Sequence, residues 1–507
     1  MVINFCFLHQ RISFSLISRP VLRVHPIILT RMGYWSLLFI LAVLEHFGSS
    51  LGTFLLNVDH KFAHQRCNLT AFKHHDQLRH RSLLAVVDLP LGGNGLPSSY
   101  GLYFAKIGIG NPSQDYYVQV DTGSDILWVN CIGCLQCPRK SDFIVELTLY
   151  NPSESLGSSL VRCDDKFCKS TYTGSLSNCS LSPLCDYTVE YGDRSSTSGY
   201  FVKDVVQLQQ VSGNFQTSTL NGSVVFGCGS RQTGELGTSP EALDGILGFG
   251  QADSSMLSQL ASDGLVKKVF SHCLDAVRGG GIFVIGENAF PIVETTPLVA
   301  NQSHYNVMLK SIDVDGEKVQ VPSDIFSSGD GKGTIIDSGT TLAYFPEPVY
   351  QQLLTMTAAS LPRSAIHVVE DHFQCFRHYG NIDTHFPDVN FRFQGSLTLT
   401  ARPSDYLFEI QSNVYCFGWQ SGGDAKDTGA ITILGDLVLS NKLVVYDLED
   451  QTIGWTDYNC SSSIQVKGGA SSATNLVGSH NLSSASRTTC RFCTSCLILL
   501  LFFRILM

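Results

Sequence analysis

From Leu102 onward the chain runs in short apolar stretches separated by Gly, Asn, Ser and Pro. Short apolar or alternating runs bounded by turn formers predict β-strands. Gly101-Leu102-Tyr103-Phe104-Ala105-Lys106-Ile107-Gly108-Ile109-Gly110 opens the series. Heptads and long amphipathic stretches are absent. Two short helices are expected, Met256–Val266 and Pro348–Ser360, the second behind Pro346. Tyr187–Phe201 predicts a β-hairpin with a Gly/Asp/Ser tip, which by itself reads as an ordinary surface hairpin. Residues 131–186 break the pattern: they are loop-like and hold Cys131, Cys134, Cys137, Cys163, Cys168, Cys179 and Cys185.

Within this pattern one unit recurs. The strand-like Tyr116–Val120 leads into Asp121-Thr122-Gly123-Ser124, and Gly333–Ile336 leads into Asp337-Ser338-Gly339-Thr340, 216 positions later. Each unit ends a strand in a tight turn that Gly permits. Each leaves a carboxylate at a loop tip with hydroxyls beside it. Each is followed at a distance by an apolar-apolar-Gly triplet, Ile246-Leu247-Gly248 and Ile433-Leu434-Gly435, where Gly lets another segment pass close to the strand. A period this long points to duplicated domains rather than a solenoid.

The 507 residues suffice for two or more full cores. Their net charge of −10 argues against a nucleic-acid partner. Charge is uneven: 60–81 carries Lys61, Arg66, Lys73, Arg79 and Arg81, with histidines and a single acid, Asp76. Besides a solvated surface helix, such a segment reads as a propeptide able to cover an acidic cleft and to let go when carboxylates protonate. Ahead of it, Trp35–Leu44 forms an apolar run too short to span a membrane and fits a signal peptide starting at Met32. At the other end, Ser483-Ser484-Ala485, a spacer and Leu497–Phe503 fit a GPI-attachment signal, interrupted by Arg504; a plain disordered tail is the alternative. Cys228, Cys273, Cys375, Cys416 and Cys460 join the seven cysteines above to make an even set, as disulfides in an oxidising compartment require. The spacing Cys131-x2-Cys134-x2-Cys137 also suits zinc, but a secreted chain favours disulfides, and no metal or other cofactor is expected. Asn178, Asn221, Asn301 and Asn459 stand in glycosylation tripeptides.

Two carboxylates brought within about 3 Å cannot both ionise easily, so the pair holds one proton over an acidic range. The ionised member takes a proton from a water between them while the protonated member donates to a carbonyl oxygen. Such a device suits direct attack of water on a peptide bond.

Taken together, the Asp-Thr-Gly-Ser and Asp-Ser-Gly-Thr units, the Tyr191-Gly192 hairpin and both Ile-Leu-Gly triplets resemble the pepsin-like aspartic proteases, in particular the plant nepenthesin-like group with a Cys-rich insertion. The resemblance covers about residues 100–460. It implies a mostly β, bilobal fold with a cleft between homologous lobes. Asp121 and Asp337 match the catalytic pair. Thr122 and Ser338 match hydroxyls that cross-link the two loops, and Ser124 and Thr340 match those that hydrogen-bond the outer carboxylate oxygens, with Gly123 and Gly339 between. Tyr191 matches the flap tyrosine, with Gly192 and Arg194 in the same turn, and Trp128 matches the indole it contacts. Ile246, Ile335 and Ile433 are expected around the substrate pocket. The insertion cysteines would pair mainly among themselves, and Cys375 with Cys416; Cys228, Cys273 and Cys460 stay unassigned. Arg194 departs from the group's pattern, which has Gly there. The implied organisation is a signal region 1–50, a propeptide 51–97, an N-terminal lobe 98–298, a C-terminal lobe 299–460, a Ser/Gly-rich linker 461–484 and a GPI signal 485–507. The function expected is a secreted, monomeric aspartic endopeptidase acting on proteins or peptides in acid, made as a zymogen and held at the cell surface by a lipid anchor. The alternatives are a catalytically silent relative that binds, such as the protease-like xylanase inhibitors of plants, and an unrelated β-rich surface receptor.

Overall fold

The computed structural model describes residues 84–482, apart from 99–100, 144, 172–182, 323, 330–331, 363–365, 369–372, 423–430 and 469–473. All of these lie in one compact unit, Thr70–Met507. The signal region, the basic segment and the GPI signal fall outside the described residues, as do Asn178 and Cys179.

The fold is mostly β, and its two halves repeat one arrangement. In the first, strand Gln114–Asp121 buries Tyr116, Val118 and Val120 and half-exposes Tyr117 and Gln119, the period-2 pattern of a strand with one face on the core. It runs parallel to Gly245–Gly248, which pairs antiparallel with Leu127–Leu135. In the second, Gly333–Ile336 runs parallel to Ile431–Leu434, which pairs antiparallel with Ala343–Phe345. Register is preserved. Ile246 stands between Gln119 and Trp128, and Ile433 between Ile335 and Tyr344. Gln119 and Ile335 are therefore equivalent, as are Trp128 and Tyr344, each pair offset by the 216 positions that separate the two Asp residues.

The halves share a sheet. Strand Lys442–Asp447, from the end of the chain, pairs with Val269–Leu274 of the first half and with Thr452–Asp457. Phe270 stacks on Tyr446 at 4.3 Å, and Phe249, Phe283 and Tyr305 pack around them. This layer lies between the halves, so burial of large apolar area holds them together.

Both short helices form. Met256–Ser262 starts at Ser255, whose side chain accepts from the Ser258 N–H at 3.2 Å. It ends four residues before the expected Val266 because Gly264 takes a left-handed φ of 71°. Glu347–Thr357 follows Pro346, with Pro348 in its first turn.

At both ends the folded body extends beyond the expected boundaries. Val87–Asp88 pairs with strands Ser196–Gly213 and Gly281–Ile285, and Leu91–Asn94 pairs with Leu102–Ile109, although residues up to 97 were expected in the propeptide. Val87, Leu89 and Leu91 alternate inward and are fully buried, which places them in the core. Residues 461–484 were expected as a linker. Ser463–Lys467 instead pairs with Asn288–Phe290 and Thr474–Gly478, and Ile464, Val466 and Val477 pack on Ile282, Val284 and Leu443. Three apolar residues with strand spacing outweigh the Ser/Gly composition around them.

The disulfides are Cys131–Cys228, Cys134–Cys137, Cys168–Cys185, Cys273–Cys460 and Cys375–Cys416, and Cys163 is also disulfide-bonded. Cys131 thus leaves the insertion to pair with the neighbouring strand, because Val129 and Cys228 are in register there.

Several carboxyls are buried, which ties stability to pH. Asp244 accepts from the N–H groups of Tyr117 at 2.8 Å and Thr148 at 2.6 Å, yet burial pushes it up to about 7. Burial also raises Asp121 and Asp436. A carboxyl whose folded pKa lies above its unfolded value keeps a proton in the native state that the unfolded chain releases near pH 4. The native state then binds more protons between about pH 4 and 7, so stability is greatest in acid and falls as pH rises. The melting temperature is expected to drop between pH 4.5 and 7.5; a rise over that interval contradicts this assignment.

Candidate active site

The two Asp loops meet at the boundary of the halves. Asp121 ends the parallel strand, and its loop folds back against the first Ile-Leu-Gly triplet. The N–H of Phe249 donates to Asp121 O at 2.7 Å, and the N–H of Gly250 to Ser124 O at 2.8 Å. A Cβ on Gly248 would stand 2.5 Å from Asp125 C, so only glycine lets the loop cross there. In the second half the N–H of Asp436 donates to Thr340 O at 2.7 Å, and a Cβ on Gly435 would collide with the carbonyl oxygens of Thr340 and Leu342.

Each carboxylate is held in the same way. Asp121 Oδ1 accepts from the Gly123 N–H at 2.8 Å, and Oδ2 from the Ser124 hydroxyl. Asp337 Oδ1 accepts from the Gly339 N–H at 2.8 Å, and Oδ2 from the Thr340 hydroxyl at 2.6 Å. The loops are interleaved. A Cβ on Gly123 would lie 2.7 Å from both Asp337 carboxylate oxygens, and one on Gly339 would strike Asp121. Each glycine therefore makes room for the other loop's carboxylate. Between them the Ser338 N–H donates to Thr122 Oγ1 at 2.8 Å. The cross-link uses one hydroxyl only, because Ser338 Oγ is buried without a hydrogen-bond partner among the described residues.

Burial, and after it the negative charge of Asp337, raises the Asp121 carboxyl above the ordinary range; the donors from Ser124 and Gly123 pull it partly back. A carboxyl raised in this way keeps its proton into milder acid than an ordinary one, and beside a second carboxylate it sets a donor and an acceptor at one point.

The hairpin Asp186–Glu190 to Ser196–Gly213 reaches over this site. The Trp128 Nε1–H donates to the Tyr191 hydroxyl at 2.8 Å, and that hydroxyl also hydrogen-bonds Ser124. Tyr191 and Val189 pack with Ile126, Trp128 and Ile246. The insertion braces the same hairpin: Cys168 of helix Lys166–Thr171 is bonded to Cys185, and Phe167 lies against Phe201 at 5.1 Å. At the tip the Arg194 N–H donates to Tyr191 O at 2.9 Å, and Arg194 has φ 67°. A left-handed conformation costs a non-glycine residue about 1–2 kcal/mol. Ile335 and Ile433 pair on the opposite sheet beside Tyr344, so the expected pocket residues divide between the two halves.

Three further residues belong to the site and carried no sequence signal. Tyr446 hydrogen-bonds the Thr122 side chain, and its hydroxyl lies 3.0 Å from Nε2 of the buried His272. Burial lowers His272 to about 3, so it is neutral in mild acid. Asp436, directly after the second triplet, is buried beside both catalytic candidates, and burial followed by their charge raises it. All three sit singly on strands or helix starts; only the assembled sheet brings them beneath the dyad.

The chain matches two family models, the N-terminal xylanase-inhibitor model over residues 103–287 and the C-terminal one over 304–457. It is 51% identical over 436 residues to aspartic proteinase 36 of Arabidopsis thaliana, covering 86% of this chain and 90% of that one. Aspartic proteinase 39 of the same plant is 50% identical over 435 residues, with the same coverage. Among solved structures, edgp superimposes with a TM-score of 0.60 at 20% identity over 74% of this chain and 95% of that one, a likeness of fold alone. With two interleaved Asp loops and relatives this similar, the chain belongs to the pepsin-like aspartic proteases and is an aspartic-type endopeptidase.

Proposed function

We propose that the protein is a secreted endopeptidase, made as a zymogen, that cleaves peptide bonds in acid by activating a water between Asp121 and Asp337. The observation that carries this reading is the matched support of the two carboxylates, each with one glycine N–H and one hydroxyl donor. The ionised member takes a proton from the water as its oxygen bonds to the carbonyl carbon. The protonated member gives its proton to the carbonyl oxygen, leaving a tetrahedral diol. Proton transfer to the amide nitrogen and collapse of the diol then break the C–N bond. Tyr191 and Trp128 close the hairpin over this step and exclude water. Apolar residues at Ile246, Ile335 and Ile433 favour bulky apolar side chains flanking the scissile bond.

The basic segment before residue 84 fits a propeptide that covers the acidic body. Asn221, Asn301 and Asn459 are exposed, as glycan acceptors must be. A GPI anchor would place the enzyme at the cell surface. The family models named for xylanase inhibitors favour a second reading, a binding protein without turnover. Retention of both Asp residues with all four donors weighs against it. The deciding experiment is cleavage of a peptide library at pH 3–6 by the activated protein. Turnover is expected to be blocked by a hydroxyl isostere of the diol and unaffected by chelators. No turnover after activation favours the binding protein, and chelator sensitivity removes the two-carboxylate mechanism.

A further inference from the structure

The turn at the tip of the Tyr191 hairpin contains a glycine, but the glycine does not occupy its left-handed position. Gly192 has no positive φ, and a Cβ added there would meet nothing within 4 Å. Arg194 takes the left-handed position instead, at φ 67°. The turn is over-determined around it. The Tyr191 N–H donates to Ser195 O at 2.9 Å, and Asp193 Oδ1 accepts from the N–H and hydroxyl of Ser195 at 2.9 and 2.7 Å. The nearest acid in sequence is thus turned back into the loop. The Arg194 side chain is exposed, and among the described residues it makes no ion pair. Strain of this kind persists where the surroundings enforce it and concentrates at ligand clamps and active sites.

The backbone of Arg194 is tied to the residue that reaches the dyad. Tyr191 O receives the Arg194 N–H, while the hydroxyl of the same tyrosine reaches Ser124 and Trp128 at the dyad. Arg194 is therefore carried, with its side chain exposed, on the hairpin whose Tyr191 reaches the dyad, two residues from Gly192, where an added Cβ would meet nothing within 4 Å. We propose that Arg194 is a specificity-determining residue that selects peptides carrying a Glu or Asp side chain near the scissile bond. A guanidinium pairs with a carboxylate through two parallel N–H···O bonds, and with a neutral amide less strongly. The inference rests on the reading that this hairpin closes over the peptide being cleaved.

The chemistry sets a pH signature. A glutamate side chain ionises near pH 4.3, so the preference exists above that pH and vanishes below it. The test uses N-acetylated, C-terminally amidated peptides in Glu/Gln pairs at each position around one scissile bond. The ratio of kcat/KM within each pair is measured at pH 3.0 and 5.5. At one position or more the wild type is expected to favour Glu about three- to tenfold at pH 5.5, and not at all at pH 3.0. Added salt should reduce the ratio. Arg194→Gln and Arg194→Gly should bring it to one at both pH values, and Arg194→Lys should retain part of it. Because each ratio is internal to one variant, a general change in flap closure cancels. A wild-type ratio of one everywhere, or a preference that survives Arg194→Gln, overturns the proposal. The same pairs with free C-terminal acids are run beside the amides, and a preference confined to them also overturns the proposal, since the terminal carboxylate would then be the group recognised. Failure to cleave any peptide removes the endopeptidase reading itself, a different outcome from cleavage without discrimination.

Discussion

Asp121→Asn is expected to lower kcat at pH 4 by at least about a thousandfold while leaving the fold intact. Asparagine has nearly the shape of aspartate, and its amide oxygen can still accept from the Gly123 N–H or the Ser124 hydroxyl that now hold Asp121. It cannot share a proton. The pair loses its acceptor or its donor, whichever role Asp121 takes at that step, and Asp337 alone cannot do both. Stability should change little, because the substitution removes a buried titrating group without opening a cavity. The measurement is kcat and KM on one peptide substrate, with a thermal melt at the same pH. Turnover within tenfold of wild type from a purified, uncontaminated variant would sink the two-carboxylate mechanism.

Much of this architecture was legible in the residues. The strand carrying Asp121 was visible because Tyr116, Val118 and Val120 alternate with more polar neighbours, and the triplets were visible because glycine at 248 and 435 has a steric purpose. Trp128 and Tyr191 were named from the resemblance, and their hydrogen bond shows why an indole stands there. The paired strands Ser463–Lys467 and Thr474–Gly478 were not legible, since Ile464, Val466 and Val477 are outnumbered by Ser, Gly and Lys, and their partners Val284 and Leu443 are remote in sequence. The partner of Cys131 depended on a sheet register that no spacing reveals. His272 and Tyr446 illustrate the general obstacle. A buried polar pair on two distant strands looks, in sequence, like two more strand residues.

Gly339→Ala should be nearly as damaging to activity, for a reason independent of acid–base chemistry. Gly339 does not have a positive φ, so alanine imposes no backbone penalty there. The obstacle is space: the new Cβ would lie 2.6 Å from Asp121 Cγ and 3.1 Å from Asp337 Oδ1, with Asp121 Oδ1 closer still. Real Cβ atoms do not tolerate such contacts, so the methyl must push the Asp121 carboxylate away from its partner or spread the two loops. Displacing a reacting group by about 1 Å costs on the order of a hundredfold in rate. Overpacking one methyl costs about 1–3 kcal/mol of stability, which a domain with this much buried sheet survives. The expected result is a folded protein with a modestly lower melting temperature, a kcat reduced about a hundredfold or more, and KM little changed, because the flap and pocket are untouched. Gly123→Ala provides the graded comparison. Its Cβ would meet the Asp337 oxygens at 2.7 Å, a milder clash that should cost less. If Gly339→Ala retains activity within threefold of wild type, or if Gly123→Ala is the more damaging of the two, the interleaving of the loops does not set the distance between the carboxylates.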